Sequence, residues 1–312
     1  MESLKLSVSA VGPIFLLMLV GYVAKAVHLA DKKIFDGINR LVFKIFLPTL
    51  LFYNVYTSES VEIFDFKLIA FIIIGVLIIF GTYYFLVFRL TDDNKKRGVM
   101  LQSSFRSNYA ILGFPLINYI CHGAGDSLAS FMVAIIVPLF NILAVISLER
   151  FRGGEVNFKK LLMGIIKNPL IIGCFIGVIF STFGIRLPKI LDETVSDVAS
   201  IATPLAIIVL GASFTFSSIK GYLRDIIIIV STRLVFVPLV MITAAVLLGF
   251  RDASLACLLI TFGSPCAVSS FAMAQQMDAD ETLQGHAVVI SSALCLVTLF
   301  LQIFVLNYLN LF

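Results

Sequence analysis

Charge is what this sequence has least of. Only 13% of its 312 residues are Asp, Glu, Lys or Arg, and 60% are apolar, whereas a soluble domain carries about 25% charged and about 45–50% apolar residues. A soluble chain of this length buries roughly three quarters of its surface and covers the rest with polar groups. Its 19 acids and 23 bases cannot do that. A cytosolic, secreted or disordered protein is excluded, and an integral membrane protein remains. Catalytic signatures are missing as well. The histidines (His28, His122, His286) are far apart and lack metal-ligand spacing. No phosphate loop, dinucleotide fingerprint or Cys/His cluster is present. The serines at 264–270 have no acid or base nearby in sequence. The expectation is therefore no enzyme, no cofactor and no metal. The five cysteines show no C-x-x-C spacing and lie in or beside apolar runs, where Cys acts as a small hydrophobe. A net charge of +4 spread over short loops makes nucleic acid an unexpected partner.

What the chain does have is apolar length. A membrane-spanning helix needs about 20 mostly apolar residues, and ten stretches qualify. They lie near Val8–Val27, Phe35–Tyr56, Leu68–Phe88, Gly98–Ile120, Leu128–Leu148, Asn168–Gly184, Val195–Phe216, Ile226–Leu248, Ala253–Gln276 and Leu283–Leu309. Runs such as Phe71–Phe80 are continuously apolar and lack the alternation of barrel strands. The first stretch is read as a span rather than a cleaved signal. Only Lys5 precedes it, no small-x-small site follows, and it continues into Tyr22 and Lys25. Sorting the loop bases puts fifteen on one side, among them Lys95, Lys96, Arg97, Lys159 and Lys160, and five on the other. The base-rich side is cytoplasmic. Both termini are then outside, and the protein is a multi-pass protein of the cell membrane.

The two halves repeat. Pro13 and Pro169, Gly21 and Gly177, and Pro48 and Pro204 are each 156 residues apart, and Gly113-Phe114-Pro115 is matched by Gly263-Ser264-Pro265 at 150. This predicts a first five-helix unit over 1–148, a short cytoplasmic loop over 149–167 and a second unit over 168–312. An odd number of helices per unit inverts the second copy. Inverted repeats with broken helices at mid-membrane are the architecture of secondary transporters. Pro48, Pro204, Pro138 and Pro238 are read as ordinary kinks, and Pro13 and Pro169 as helix starts.

The paired Gly-x-Pro motifs predict two discontinuous helices, spans four and nine, that cross. Glycine lets the chain leave helical geometry, and proline removes a backbone donor. Each half-helix that begins after its break would offer free N–H groups and a positive dipole end to an anion. The buried charges point the same way. No carboxylate falls in mid-span, whereas Lys44, Arg106 and Arg233 lie within spans, where an ionised group is a functional hypothesis by default. Lys44 and Arg233, near span ends, are expected to snorkel to the headgroups. Arg106 is expected to offer its fork to a substrate carboxylate. Side chains available to hydrogen-bond the substrate are Asn54, Gln102, Ser104, Asn108, Asn118, Ser264, Ser269 and Ser270.

Asn39–Phe52 in span two, Phe105–Leu116 (FRSNYAILGFPL) in span four and Ser264–Met277 (SPCAVSSFAMAQQM) in span nine resemble the auxin efflux carrier family, in particular its short-loop bacterial members, over essentially the whole chain. The resemblance implies a ten-helix inverted-repeat fold, with helices one, two, six and seven as scaffold and the rest as a moving transport domain. It also implies a crossover at Pro115 and Pro265, with Asn108 beside an organic carboxylate. Its members move auxin in plants and are associated with malate, malonate or similar acids in bacteria. The long central loop of many plant members is missing here, since Glu149–Lys167 is short.

The expected substrate site comprises Arg106, Asn108, Gly113, Pro115, Gly263, Ser264, Pro265 and Ser269. The expected function is alternating-access transport of a mono- or dicarboxylate, coupled to a proton or to sodium or driven by the membrane potential. The alternatives are a sodium-coupled symporter of the bile-acid type and a non-transporting receptor on a carrier fold. Partners are the organic carboxylate, the lipid bilayer and, as an open assembly state, a homodimer. The acid, the direction of transport and the coupling ion stay open.

Overall fold

The computed structural model describes residues 2–57, 66–109, 117, 126–152, 158–215 and 218–311. They are helical throughout, with no strand among the described residues beyond one isolated antiparallel bridge, Ser107 with Cys266. The helices are α1 (Glu2–Ala26), α2 (Lys32–Leu41), α3 (Leu47–Tyr56), α4 (Phe66–Leu90), α5 (Asn94–Phe105), α6 (Asp126–Phe151) and α7 (Phe158–Ile166). They continue as α8 (Pro169–Thr182), α9 (Lys189–Ser213), α10 (Ile219–Ser231), α11 (Val237–Leu247), α12 (Asp252–Gly263), α13 (Ser269–Gln276) and α14 (Glu281–Tyr308). Two π turns, Val42–Phe46 and Thr232–Phe236, join α2 to α3 and α10 to α11.

Five stretches are long and apolar enough to cross a membrane unbroken: Phe66–Leu90, Phe131–Phe151, Lys189–Ser213, Ile219–Leu247 and Glu281–Tyr308. Gly12–Ala26, Pro169–Thr182 and Asp252–Gly263 are shorter apolar helices. Of the other expected spans, one and six are covered by the continuous helices α1 and α8, two contains a π turn, four stops after α5, and nine is broken between α12 and α13. α7 lies in the stretch 149–167 expected to be a loop. The side chain of Asn168 accepts from the Leu170 N–H at 3.0 Å, and Pro169 occupies the first helical position, so α7 and α8 are separate. The π turns each end just before a proline, Pro48 or Pro238, and a wider turn accommodates the carbonyl that the ring would strike. Pro204 and Pro138, by contrast, lie inside the continuous helices α9 and α6. Pro13 lies inside α1 rather than at a helix start.

Two helix pairs pack with their backbones in near contact: α1 on α9, and α8 on α3. Gly21 and Gly211 serve the first pair. A methyl group on Gly21 would stand 1.9 Å from the Ile208 carbonyl oxygen, and one on Gly211 2.0 Å from that of Met18. Gly173 and Gly177 serve the second, where a methyl would meet the carbonyl oxygens of Pro48 at 2.4 Å and Phe52 at 2.8 Å. In hydrocarbon, where burying apolar side chains gains nothing between helices, such close approach supplies the packing energy. The densest burial lies elsewhere, in α5 and α12. Every residue from Gly98 to Phe105 and from Leu255 to Gly263 is buried. These two helices end against each other, and their junction holds the polar groups described next.

Candidate functional site at the helix crossing

α5 and α12 are each 12 residues long, and each stops where its chain turns extended. Arg106 leaves α5 at φ −81°, ψ 105°, and Ser264 leaves α12 at φ −70°, ψ 155°. The two extended stretches pair. Ser107 bridges Cys266, and the Asn108 N–H donates to the Pro265 carbonyl at 2.9 Å. Backbone groups that leave a helix inside a membrane must find partners within the protein, and here each break supplies the other. The break in span four therefore opens at Arg106, well before Pro115. Among the described residues the stretch facing Pro265 is Arg106–Asn108. Gly113, Pro115 and Asn118 lie outside the described residues.

The carbonyls at the two helix ends are taken up by Arg233, in the second π turn. Its Nε donates to the Ser264 carbonyl at 2.8 Å and its Nη2 to Thr261 at 2.7 Å. Its Nη1 reaches the carbonyls of Phe105 at 3.1 Å and Ser104 at 3.4 Å. Arg233 is 0% exposed, so it does not snorkel. A cation is stabilised at the partial negative charge of a helix C-terminus, and this one serves two such ends. Lys44, the other base expected to snorkel, is exposed as that reading requires.

Arg106 points elsewhere. It is 3% exposed, and its Nη2 donates to Asn141 Oδ1 at 2.8 Å and to Ser269 Oγ at 2.9 Å, with Met273 Sδ against Nη1. None of these partners is charged, and no ion pair among the described residues includes Arg106. The guanidinium lines a cavity of about 60 Å³ with Ser107, Asn108, Asn141, Asn54, Thr203 and Ser269. Leu47, Leu50, Leu51, Val137, Phe140, Leu170 and Val268 supply its apolar wall. Two of the polar atoms are buried without a partner among the described residues, Asn108 Nδ2 and Ser107 Oγ. Such atoms cost free energy until something accepts from them or donates to them. The N-terminus of α13, at Ser269, opens beside the same cavity and turns the positive end of its dipole toward it, although the Ser270 and Phe271 N–H groups donate to the carbonyls of Ala267 and Val268 at 3.1 Å. One fixed positive charge, a helix N-terminus, a spare amide donor and a spare hydroxyl face a mostly apolar chamber. That arrangement can hold a small anion by its charged end.

Of the expected site residues, Arg106, Asn108 and Ser269 meet at the cavity. Gly263, Ser264 and Pro265 do not line it. Gly263 packs under Gln302 Oε1, and the carbonyls of Ser264 and Pro265 go to Arg233 and Asn108. Among the proposed hydrogen-bonding side chains, Asn54 is at the cavity, whereas three others are used internally. Gln102 Nε2 donates to Gln284 Oε1 at 2.6 Å, Ser104 Oγ to the Leu101 carbonyl, and Ser270 Oγ to the Ala267 carbonyl. Ser107, Asn141 and Thr203 were not singled out from the sequence. Asn141, a lone amide in the apolar run of α6, was the most visible of the three.

Among the described residues no acid lines the cavity. Asp225, midway along α10, is buried but sits 2.6 Å from Lys96 Nζ. This hydrogen bond raises the Lys96 ammonium above its ordinary pKa. Lys95 and Asp278 pair at 2.6 Å on the surface. Among the described residues no group of three His, Cys, Asp or Glu side chains could hold a metal ion. Cys174, Cys257, Cys266 and Cys295 are buried and in no disulfide among the described residues.

Comparison with known proteins gives concordant matches. The family described as "Membrane transport protein" matches residues 6–303. An uncharacterized transporter of Methanothermobacter thermautotrophicus is 26% identical over 296 residues, covering 94% of this chain and 96% of the relative. An uncharacterized transporter of Methanocaldococcus jannaschii is 24% identical over 300 residues, covering 92% and 94%.

Proposed function

We propose that this chain, which belongs to the membrane transport protein family that includes the auxin efflux carriers, is a secondary carrier for a small organic anion working by alternating access. The observation that carries the reading is Arg106: a buried guanidinium with no carboxylate partner among the described residues, facing a cavity that holds a partnerless amide donor. An isolated buried charge is costly, and a bound carboxylate would complete the set by accepting from the guanidinium and from Asn108. A mono- or dicarboxylate such as malate or malonate fits that chemistry. A cation substrate does not, because among the described residues no acidic side chain lines the chamber. For the same reason proton coupling, or transport driven by the membrane potential alone, is preferred to a sodium-coupled mechanism.

The same reading takes the chain as ten spans in two inverted units, 1–148 and 168–312, joined by a cytoplasmic loop at 149–167, with both termini outside. Three features support it. α5 and α12 are equal in length and end at facing breaks. α1 packs on α9 of the other half, while α8 of the second half packs on α3 of the first. Gly21 and Gly177, matched at 156 residues, each approach a carbonyl of the opposite half. In such a fold the anion site lies where the broken helices cross, and access alternates as one bundle rocks against the other.

The test is a thermal-shift screen of the purified protein against mono- and dicarboxylates, with and without sodium, followed by uptake into proteoliposomes. Stabilisation by a carboxylate, and sodium-independent saturable uptake of it, is the expected result. Stabilisation only when sodium is present would favour the symporter. Binding that never yields flux would favour a receptor.

A further inference from the structure

Arg233 carries a fixed charge, is fully buried, and belongs to no ion pair among the described residues. Its hydrogen bonds are divided evenly. Ser104 and Phe105 close α5, Thr261 and Ser264 close α12, and one guanidinium donates to all four carbonyls. The next residue after Phe105 is Arg106, and the residues after Ser264 lead directly to Ser269. The point that Arg233 grips is therefore the origin of both stretches that furnish the cavity's polar groups. Among the described residues the backbone is otherwise tied across the crossing by the Ser107–Cys266 bridge, which includes the bond from the Asn108 N–H to the Pro265 carbonyl. Two long side-chain contacts add to it, Gln102 Nε2 to the Ser270 carbonyl at 3.4 Å and Cys266 Sγ to the Ser103 carbonyl at 3.9 Å. None of these reaches the carbonyls of both helix ends as Arg233 does.

We infer that Arg233 is the positioning residue of the anion site, a pin that ties the two half-helix ends into one unit and so fixes Arg106 and Asn108 opposite Ser269. Chemistry favours Arg for this task. The planar guanidinium offers five donors in a rigid fork, whereas a Lys ammonium is a compact point charge that cannot span two helix ends. The π turn that carries Arg233 is a local widening of the helix, a feature common at functional sites. With the pin intact the two half-helices move as one body during a transport cycle, and the geometry presented to the anion is preserved.

The consequence for binding rests on the carrier reading above, whereas the pinning itself can be measured without any substrate. Cys266 lies in the bridge and is 0% exposed. In a variant whose other cysteines are replaced, its alkylation by a small maleimide reports opening of the crossing. Arg233→Lys is expected to raise that rate about tenfold through local opening. In proteoliposomes loaded with a carboxylate identified by the screen, Arg233→Lys is expected to raise KM about tenfold and keep Vmax per folded molecule; a role in stability alone would lower Vmax at constant KM. Alkylation and KM equal to the parent's in Arg233→Lys would overturn the inference. Arg233→Gln serves if the Lys variant does not fold, and loss of the fold in both would assign Arg233 to stability and also overturn it. The two readings fail separately. An unchanged KM in Arg106→Lys counts against the anion site, and if no carboxylate is carried, the Cys266 rate alone decides the role of Arg233.

Discussion

Arg106 and Arg233 meet the same stretch of chain, since Arg233 donates to the carbonyl of Phe105, the residue before Arg106. Their work differs because their partners differ. Arg233 is saturated by backbone carbonyls, and Arg106 by neutral side chains that leave it facing a cavity. Asn108 completes the picture, because its Nδ2 has no acceptor among the described residues. We predict that Asn108→Ala weakens carboxylate binding by about 10- to 100-fold, the equivalent of losing a hydrogen bond to a charged group worth roughly 1.5–3 kcal/mol. Thermal stability should stay near wild type, because no protein bond from Nδ2 is lost. A titration that returns wild-type affinity would remove Asn108 from the site. Arg106 and Asn108 were legible in the sequence because polar groups inside an apolar run must be satisfied by something. The task of Arg233 was not legible. It depends on four carbonyls that converge only after two distant helices have stopped at the same place, and carbonyls leave no trace in a sequence.

At the level of elements, the breaks and the close helix contacts were partly readable. Pro265 marks its break, and in span four the helix already stops at Arg106, where the backbone finds tertiary partners. The prolines differ in setting: Pro48 and Pro238 follow π turns, while Pro204 and Pro138 lie inside continuous helices. The repeated glycines were better guides, since only a residue without Cβ fits where one backbone lies on another. Gly211→Ala is predicted to force α1 from α9 and to lower Tm by a few degrees, from an overpacking cost of about 1–3 kcal/mol. Gly81→Ala, where a methyl group would meet nothing within 4 Å, should leave Tm unchanged. Equal melting curves for the two variants would contradict the packing account of these glycines.

For the whole molecule, membrane residence was decided by composition alone, because too few polar residues exist to cover a soluble surface. The proposed sidedness rests on the loop bases and on an odd number of spans in each proposed repeat. It predicts that a protease added to inside-out vesicles cleaves within residues 149–167, whereas right-side-out vesicles are resistant there and expose tags placed at both ends. Cleavage of that loop only from the outer face would invert the topology. The substrate was less legible than the fold, because a cavity of about 60 Å³ with one guanidinium and an apolar wall specifies a charge and a size and leaves the acid unnamed. The most direct measurement is uptake of a radiolabelled carboxylate by proteoliposomes containing wild-type protein or Arg106→Gln, both purified to the same monodisperse state. The account predicts saturable uptake by wild type and a loss of more than about tenfold in Arg106→Gln, the scale expected when one member of a buried charge-assisted contact is removed. Equal uptake by the two proteins would contradict it.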